Sequence, residues 1–176
     1  MIDGKFVRLR SWREDDIAKL TELRNDIKLQ SQLLSRVRGS NVDQTRQWLQ
    51  QRSSASSNLL LIVADKDSDV PLGYIQFIDI EPIDQIAKLG LCLSPEIQGK
   101  GIGYEVLLLA FNYLHNSWAI RKVILEVSDD NKRAIKCYKK IGFLQCGKYL
   151  KHKHIDGKWH NLIIMELFLD KMVKHP

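Results

Sequence analysis

The run Gln98-Gly99-Lys100-Gly101-Ile102-Gly103 stands between an apolar stretch, Leu89 to Leu93, and a long amphipathic one that reaches Asn116. With Ser94-Pro95-Glu96 as a break, the order reads strand, turn, glycine loop, helix. Glycines at 99, 101 and 103 clear side chains from one small space and leave backbone N–H groups pointing into it. A helix starting there adds its unpaired first-turn N–H groups and its positive dipole end. That combination suits a phosphate or pyrophosphate. The plain alternative is a tight turn with flexible glycines, which leaves the alternate spacing before a strong helix unexplained.

Two familiar phosphate loops do not fit. The Walker loop needs a lysine followed by Ser or Thr after its glycine, and none stands at the right place. The dinucleotide fingerprint needs G-x-G-x-x-G, but the last slot holds Tyr104 or Val106, depending on the starting glycine. Glu126 ends a later strand at about the spacing of that fingerprint's ribose carboxylate. The missing glycine, and three strands already ahead of the one that enters the loop, make this a coincidence.

Outward from the loop, the chain reads as one domain over residues 1–176, long enough to bury a core. Hydrophobic residues make up 44% and charged residues 27%, a globular balance. No apolar run approaches the ~20 residues of a membrane helix, and Met1 to Lys5 carries no signal-peptide pattern. Cys92, Cys137 and Cys146 are odd in number and lack metal spacing. Buried thiols in a reducing cytoplasmic setting are the expectation, with a catalytic cysteine as the sharper alternative. The formal net charge of +6 favours anionic partners. No run of five like charges suggests a nucleic-acid tail, so neither nucleic acid nor membrane is expected as a partner.

Before the loop, Lys5 to Arg10 reads as a strand and Ser11 to Asp16 as a helix entrance. Ile17, Leu20 and Leu23 form a helical stripe to about Asn25. Residues 27–41 read as irregular, with Leu33-Leu34 as an anchor, and a second helix runs from Asn41 to Arg52. Strands follow at 59–64, 73–80 and 86–93, with Tyr74, Gln76, Ile78 and Ile80 expected on one face. After the loop helix come a strand at 122–127 and a helix capped by Ser128-Asp129-Asp130 and ended by Gly142. A hairpin of 144–154 and 158–168 closes the chain. The order β-α-α-β-β-β-α-β-α-β-β predicts an α/β fold, a mixed sheet with helices on both faces.

Gln98-x-x-Gly101-x-Gly103 resembles the acetyl-CoA loop of the GNAT acetyltransferases. Asn131-x-x-Ala134-x-x-x-Tyr138-x-x-x-Gly142-Phe143 resembles the next block of that superfamily, in the right order and spacing. The likeness runs from about Phe6 to Phe168. It implies a mostly antiparallel central sheet of about seven strands, splayed after its fourth, with the pantetheine arm of acetyl-CoA in the V. It implies that backbone at Leu91 and Leu93 pairs with the pantetheine. Gly99, Gly101 and Gly103, with the backbone of Lys100 and Ile102, would hold the pyrophosphate, and Gln98 would close the start of the loop. The Lys100 side chain would contact a phosphate or face water, and Asn131 would cap its helix or contact the pantetheine. Tyr138 would be the general acid that protonates the departing thiolate, its plain alternative being a core aromatic.

Many relatives carry a glutamate on the strand before the loop, where this chain has Lys88. A lysine is no ready base at neutral pH, so Asp79, Glu81 or a water chain stand as candidates. His152, His154 and His160 on the hairpin are expected to hold no metal, and that hairpin lines the acceptor pocket in the family. Arg36, Arg38, Arg46 and Arg52 fall in the segment that usually shapes acceptor choice, unless they are a solvated face. The resemblance implies direct transfer from acetyl-CoA, without metal, to a primary amine: a polyamine, a nucleotide-linked amino sugar or a protein N-terminus. Ser94 to Gly101 and Asp156-Gly157-Lys158-Trp159 resemble spermidine and ribosomal-protein N-terminal acetyltransferases. Leu23-Arg24-Asn25-Asp26 and Trp48-Leu49 resemble nucleotide-amino-sugar acetyltransferases. A polyamine sits badly with a charge of +6, which favours a small amine on an anionic carrier. A CoA-binding module without catalysis and a basic nucleic-acid-binding protein are the rival classes, and a homodimer is a permitted assembly.

Overall fold

The apolar run Leu59 to Ala64 becomes β3 (Leu59–Asp65), and its alternation divides the molecule. Leu60 and Ile62 point into one hydrophobic core, and Val63 into the other. The computed structural model describes residues 1–172. Ahead of β3 lie β1 (Ile2–Asp3), β2 (Val7–Arg10) and three helices, α1 (Ile17–Asn25), α2 (Ile27–Gln32) and α3 (Val42–Ser54). After it come β4 (Pro71–Glu81), β5 (Ile86–Leu93), α4 (Ile102–Trp118), β6 (Lys122–Ser128), α5 (Lys132–Ile141), β7 (Leu144–Ile155) and β8 (Lys158–Phe168). The strands form one eight-stranded sheet in the order β1-β2-β3-β4-β5-β6-β8-β7.

The α1–α3 layer buries Ile17, Leu20, Leu23, Leu29 and Leu49 against Leu60, Ile62, Tyr74 and Cys92. On the other face Val106, Ala110, Phe111, Ile135 and Ile141 of α4 and α5 pack on Ile75, Phe77, Leu89 and Leu93. Helices on both faces of a mostly antiparallel sheet match the expected architecture.

Three local features differ from the sequence reading. β1 is an eighth strand of two residues on β2, too short to carry an alternation. Part of the segment read as irregular is α2, a six-residue helix. Asp26, read as trailing the first helix, caps this second one by accepting from Leu29 N at 2.8 Å. The third is a bulge: register shifts between Ile78 and Glu81, where Asp79 takes a φ of 51°. The extra residue turns Ile80 away from the face of Tyr74 and into the α4–α5 core.

The connection that matters most is β5 to β6, the sheet's one parallel pair. It is registered only from Ile86 to Lys88, against Lys122 to Ile124. Beyond Lys88 the two strands part, although β5 continues to Leu93 and β6 to Ser128. Ser94 N donates to Leu72 O of β4 at 2.8 Å. By two-residue alternation the even residues of β5 then face β4, and the peptide groups of Leu89, Leu91 and Leu93 face the gap.

Candidate active site

A cleft of about 700 Å³ fills this gap and reaches both faces of the sheet. On the α4–α5 face it is lined by Leu91, Leu93, Gln98, Gly99, Gly101, Gly103, Asn131 and Tyr138. On the α1–α3 face it is lined by Arg24, Trp48, Arg52, Tyr74 and Gln76. Ten residues were assigned to the site from sequence, and eight of them meet in this one cleft. Lys100, which is exposed, and Ile102, which packs toward the core, lie just outside its lining.

The glycine loop opens onto the cleft through its backbone. Gly99 and Gly101 both take a φ of 81°, in the left-handed region that other residues rarely adopt. A Cβ at either would meet nothing within 4 Å, so the loop presents bare peptide to open space. Gly101 is the N-cap of α4, and no side chain caps that end. First-turn N–H groups and the dipole of a seventeen-residue helix are left for an anion. Gly103 serves packing instead, since a Cβ there would lie 3.4 Å from Leu93 Cδ1. Gln98 closes the start of the loop by donating to Leu93 O at 2.7 Å.

Asn131 is the cap of α5, accepting from Ala134 N at 3.2 Å, the plainer of the two roles the sequence offered it; Ser128-Asp129-Asp130 lies just ahead of the cap. Gly142, with a φ of 111°, ends that helix. Tyr138 sits on the inner side, its ring 5.6 Å from Phe143 at a steep angle. Phe143 in turn packs at 5.8 Å on Phe111, and Phe111 at 6.1 Å on Phe77. This aromatic row, from β4 through α4, fixes the Tyr138 ring in the cleft wall. Burial, and then the neighbouring Cys137 thiol, push the Tyr138 pKa above the ordinary tyrosine value. The hydroxyl therefore stays protonated at neutral pH, as a proton donor requires.

Other candidates fall away from the cleft. Asp79 and Glu81 are exposed at the closed end of the β5–β6 gap and do not line it. His152 stacks on Tyr149, His154 packs on Trp159, and His160 Nδ1 lies 3.0 Å from Asp130 Oδ2. The register of β7 on β8 shifts between Tyr149 and Lys153. No His, Cys, Asp and Glu group among the described residues converges as a metal site. Lys153 is the hairpin residue that reaches the cleft. Of the four arginines singled out, Arg46 is tied to Glu14 and Asp43, and Arg36 donates to His154 O. Only Arg52 lines the cleft. Two of the thiols are held back from reaction: burial pushes Cys92 up to about 12 and also raises Cys137.

Sequence reasoning missed what the register brings in. Lys88, Gly90 and Cys92 share the α1–α3 side of β5, and Glu126 comes up beside Lys88 on β6. Lys88 Nζ and Glu126 Oε1 are 3.2 Å apart. Glu126 is the one carboxylate lining the cleft among the described residues. Its signal was a strand-end acid on a strand with Val-Ile-Leu at its centre. Arg133, at the start of α5, reaches both Gln98 and Gln32 across the mouth.

Comparison with known proteins accords with this geometry. The acetyltransferase (GNAT) domain family matches residues 7–144. The chain belongs to that family. Within it, the chain is 31% identical over 96 residues to spermidine N(1)-acetyltransferase of Escherichia coli K12, covering 54% of this chain and 52% of that enzyme. It is 28% identical over 79 residues to the ribosomal protein uS5 alanine N-acetyltransferase of the same organism, 45% of this chain and 41% of that one. The chain thus spans about half the length of these relatives. Spermidine N-acetyltransferase from Vibrio cholerae, solved with CoA and spermine, superposes with a TM-score of 0.90 over 97% of this chain and 100% of that one. At 20% identity that likeness is one of fold. The fold includes the splay, seen here as the short β5–β6 pairing.

Proposed function

We propose that this GNAT chain transfers an acetyl group from acetyl-CoA directly to a primary amine. The observation that carries the reading is the course of the cleft: it runs from an uncapped helix N-terminus, along an unpaired strand edge, through the sheet to the opposite face. Bare peptide at Gly99 and Gly101 suits a pyrophosphate, and the free peptide groups of Leu91 and Leu93 suit an amide-bearing arm laid in as an extra strand. Bound acetyl-CoA supplies a thioester whose carbonyl is open to an amine.

The residues divide by face. Tyr138 stands on the cofactor side, where its hydroxyl gives a proton to the sulfur as the C–S bond breaks and is restored from solvent. Glu126 stands beside Lys88 on the other side, where its carboxylate takes the proton the amine loses as the new C–N bond forms. Lys88 holds the carboxylate in place, so a lysine in the usual glutamate position positions the base on the next strand. Support for an amine acceptor comes from the family and from the spermidine and uS5-alanine relatives.

The test is CoA thiol release by the intact chain across a panel of primary amines, with acetyl-CoA binding measured alongside. Amine-dependent release is the expected result. Binding of acetyl-CoA with no amine-dependent release would leave the rival reading, a CoA-binding module without catalysis.

A further inference from the structure

The acceptor face of the cleft carries an uncommon pair of loose ends. Two buried side-chain polar atoms among the described residues have no hydrogen-bond partner, Arg24 Nε and Gln76 Oε1. Both residues line the α1–α3 end of the same cleft. One is a charged donor and the other a neutral acceptor. Buried polar groups without partners are rare in folded proteins, and each calls for an explanation.

These groups are held rather than loose. The Arg24 guanidinium lies 4.4 Å over the Trp48 ring, and Trp48 meets Tyr74 edge-on at 5.1 Å. Among the described residues its one hydrogen bond is a long one to Ser40 Oγ at 3.4 Å, and no carboxylate pairs with it. Burial, with a smaller push from Arg52, draws the Arg24 pKa below the ordinary arginine value, and Tyr74 and Cys92 oppose this only in part. Gln76 is placed by an absence: a Cβ on Gly90 would lie 2.8 Å from Gln76 Nε2. Only glycine on the neighbouring strand lets that amide lie across β5.

The surrounding charge is mostly positive. Arg24, Arg52 and Lys88 line this end of the cleft, and its one carboxylate, Glu126, is already engaged by Lys88. A polycation would enter against that field, with no free acid to receive it.

Resting on the acetyltransferase reading, we propose that the acceptor is an amine that also carries an oxyanion, a carboxylate or a phosphate, bound by Arg24 and Arg52, with the Gln76 amide lining the same end of the cleft. The planar guanidinium of Arg24, pinned by Trp48, offers its terminal N–H groups to oxygens of such a group. Arg52 adds the second positive charge. Trp48 and Tyr74 form an apolar wall beside them. On this basis the chain selects against the polyamines named for its relatives.

The experiment is calorimetric binding to the intact chain saturated with CoA, which occupies the cofactor's phosphate sites. The probes are glucosamine 6-phosphate against glucosamine, glycine against glycinamide, and spermidine. The oxyanion-bearing member of at least one pair should bind tenfold or more tighter than the counterpart that lacks it, and tighter than spermidine. The sugar pair tests phosphate as the oxyanion and the glycine pair tests carboxylate. Arg24→Met and Arg52→Met should each erase that preference while CoA affinity stays within twofold. Arg24→Lys, which keeps the charge and loses the fork, should retain part of it. Equal binding within both pairs, or tighter binding of spermidine, overturns the proposal. Failure of the acetyltransferase reading is read separately, as the absence of CoA binding or of thiol release with any amine.

Discussion

On the α4–α5 side of the sheet the cleft is walled largely by backbone: two left-handed glycines, an uncapped helix end and an unpaired strand edge. On the α1–α3 side it is walled by side chains, with Arg24 on Trp48, Trp48 on Tyr74, and Gln76 over Gly90. A backbone site binds what every relative shares, because peptide groups are the same in every sequence. A side-chain site binds what one chain has selected, because each residue comes from a different element and can vary alone. The difference explains how relatives named for spermidine can share this fold while the acceptor end here carries arginines. The two halves meet at the β5–β6 gap, with Tyr138 on one side and Glu126 on the other.

That division can be broken first at the junction. Tyr138→Phe keeps the ring that packs on Phe143 and removes only the hydroxyl. Glu126→Gln keeps the shape and removes the charge. Each should slow the chemical step by ~10²–10⁴-fold, the usual range for general acid or base help, with acetyl-CoA affinity held within twofold. Single-turnover measurement of thiol release checks this. A Tyr138→Phe rate within twofold of the parent would return Tyr138 to the core, with water as the proton donor.

The acceptor layer can next be loosened from its footing. Arg10 bonds Asp16 at 2.8 and 2.9 Å and Asp69 at 2.9 Å, with Arg10 and Asp16 only 4% and 2% exposed. Asp16 immediately precedes α1, so this network anchors the start of the three-helix layer. Arg10→Met should cost about 3–5 kcal/mol by leaving a buried carboxylate unpaired. Hydrogen exchange should rise in α1–α3 before it rises in α4 and α5. Uniform loss of protection across both layers would show that the halves are one cooperative unit.

The smallest expected effect lies in the glycine loop. Gly101→Val places a branched side chain in open space but forces it into a left-handed backbone, a strain of about 1–3 kcal/mol. Acetyl-CoA affinity should fall by roughly 10–100-fold on that account, while the acceptor preference between neutral and anionic amines stays unchanged. Calorimetry with CoA, followed by the paired amines, separates the two. A shift in that preference would mean that the loop also shapes the acceptor end.

The geometry of the α4–α5 side of the cleft was legible in the sequence, because that side is local. Glycine spacing, the following helix, the Asn131 cap and the Gly142 stop all act within a few residues of one another, and so does the alternation that makes β5 a strand. The acceptor half depends on register and docking, which no stretch of sequence states. The Asp79 bulge turned Ile80 to the other core, and Asp26 proved to cap α2. A parallel pairing only three residues long brought Glu126 up beside Lys88 and left the rest of the gap open. Arg24, Arg52, Trp48 and Gln76 come from three elements separated by dozens of residues, and only the packing of α1 and α3 on the sheet puts them in one pocket. Local geometry follows from neighbours in the chain, whereas a site assembled across the sheet follows from which strand edges pair and where they stop.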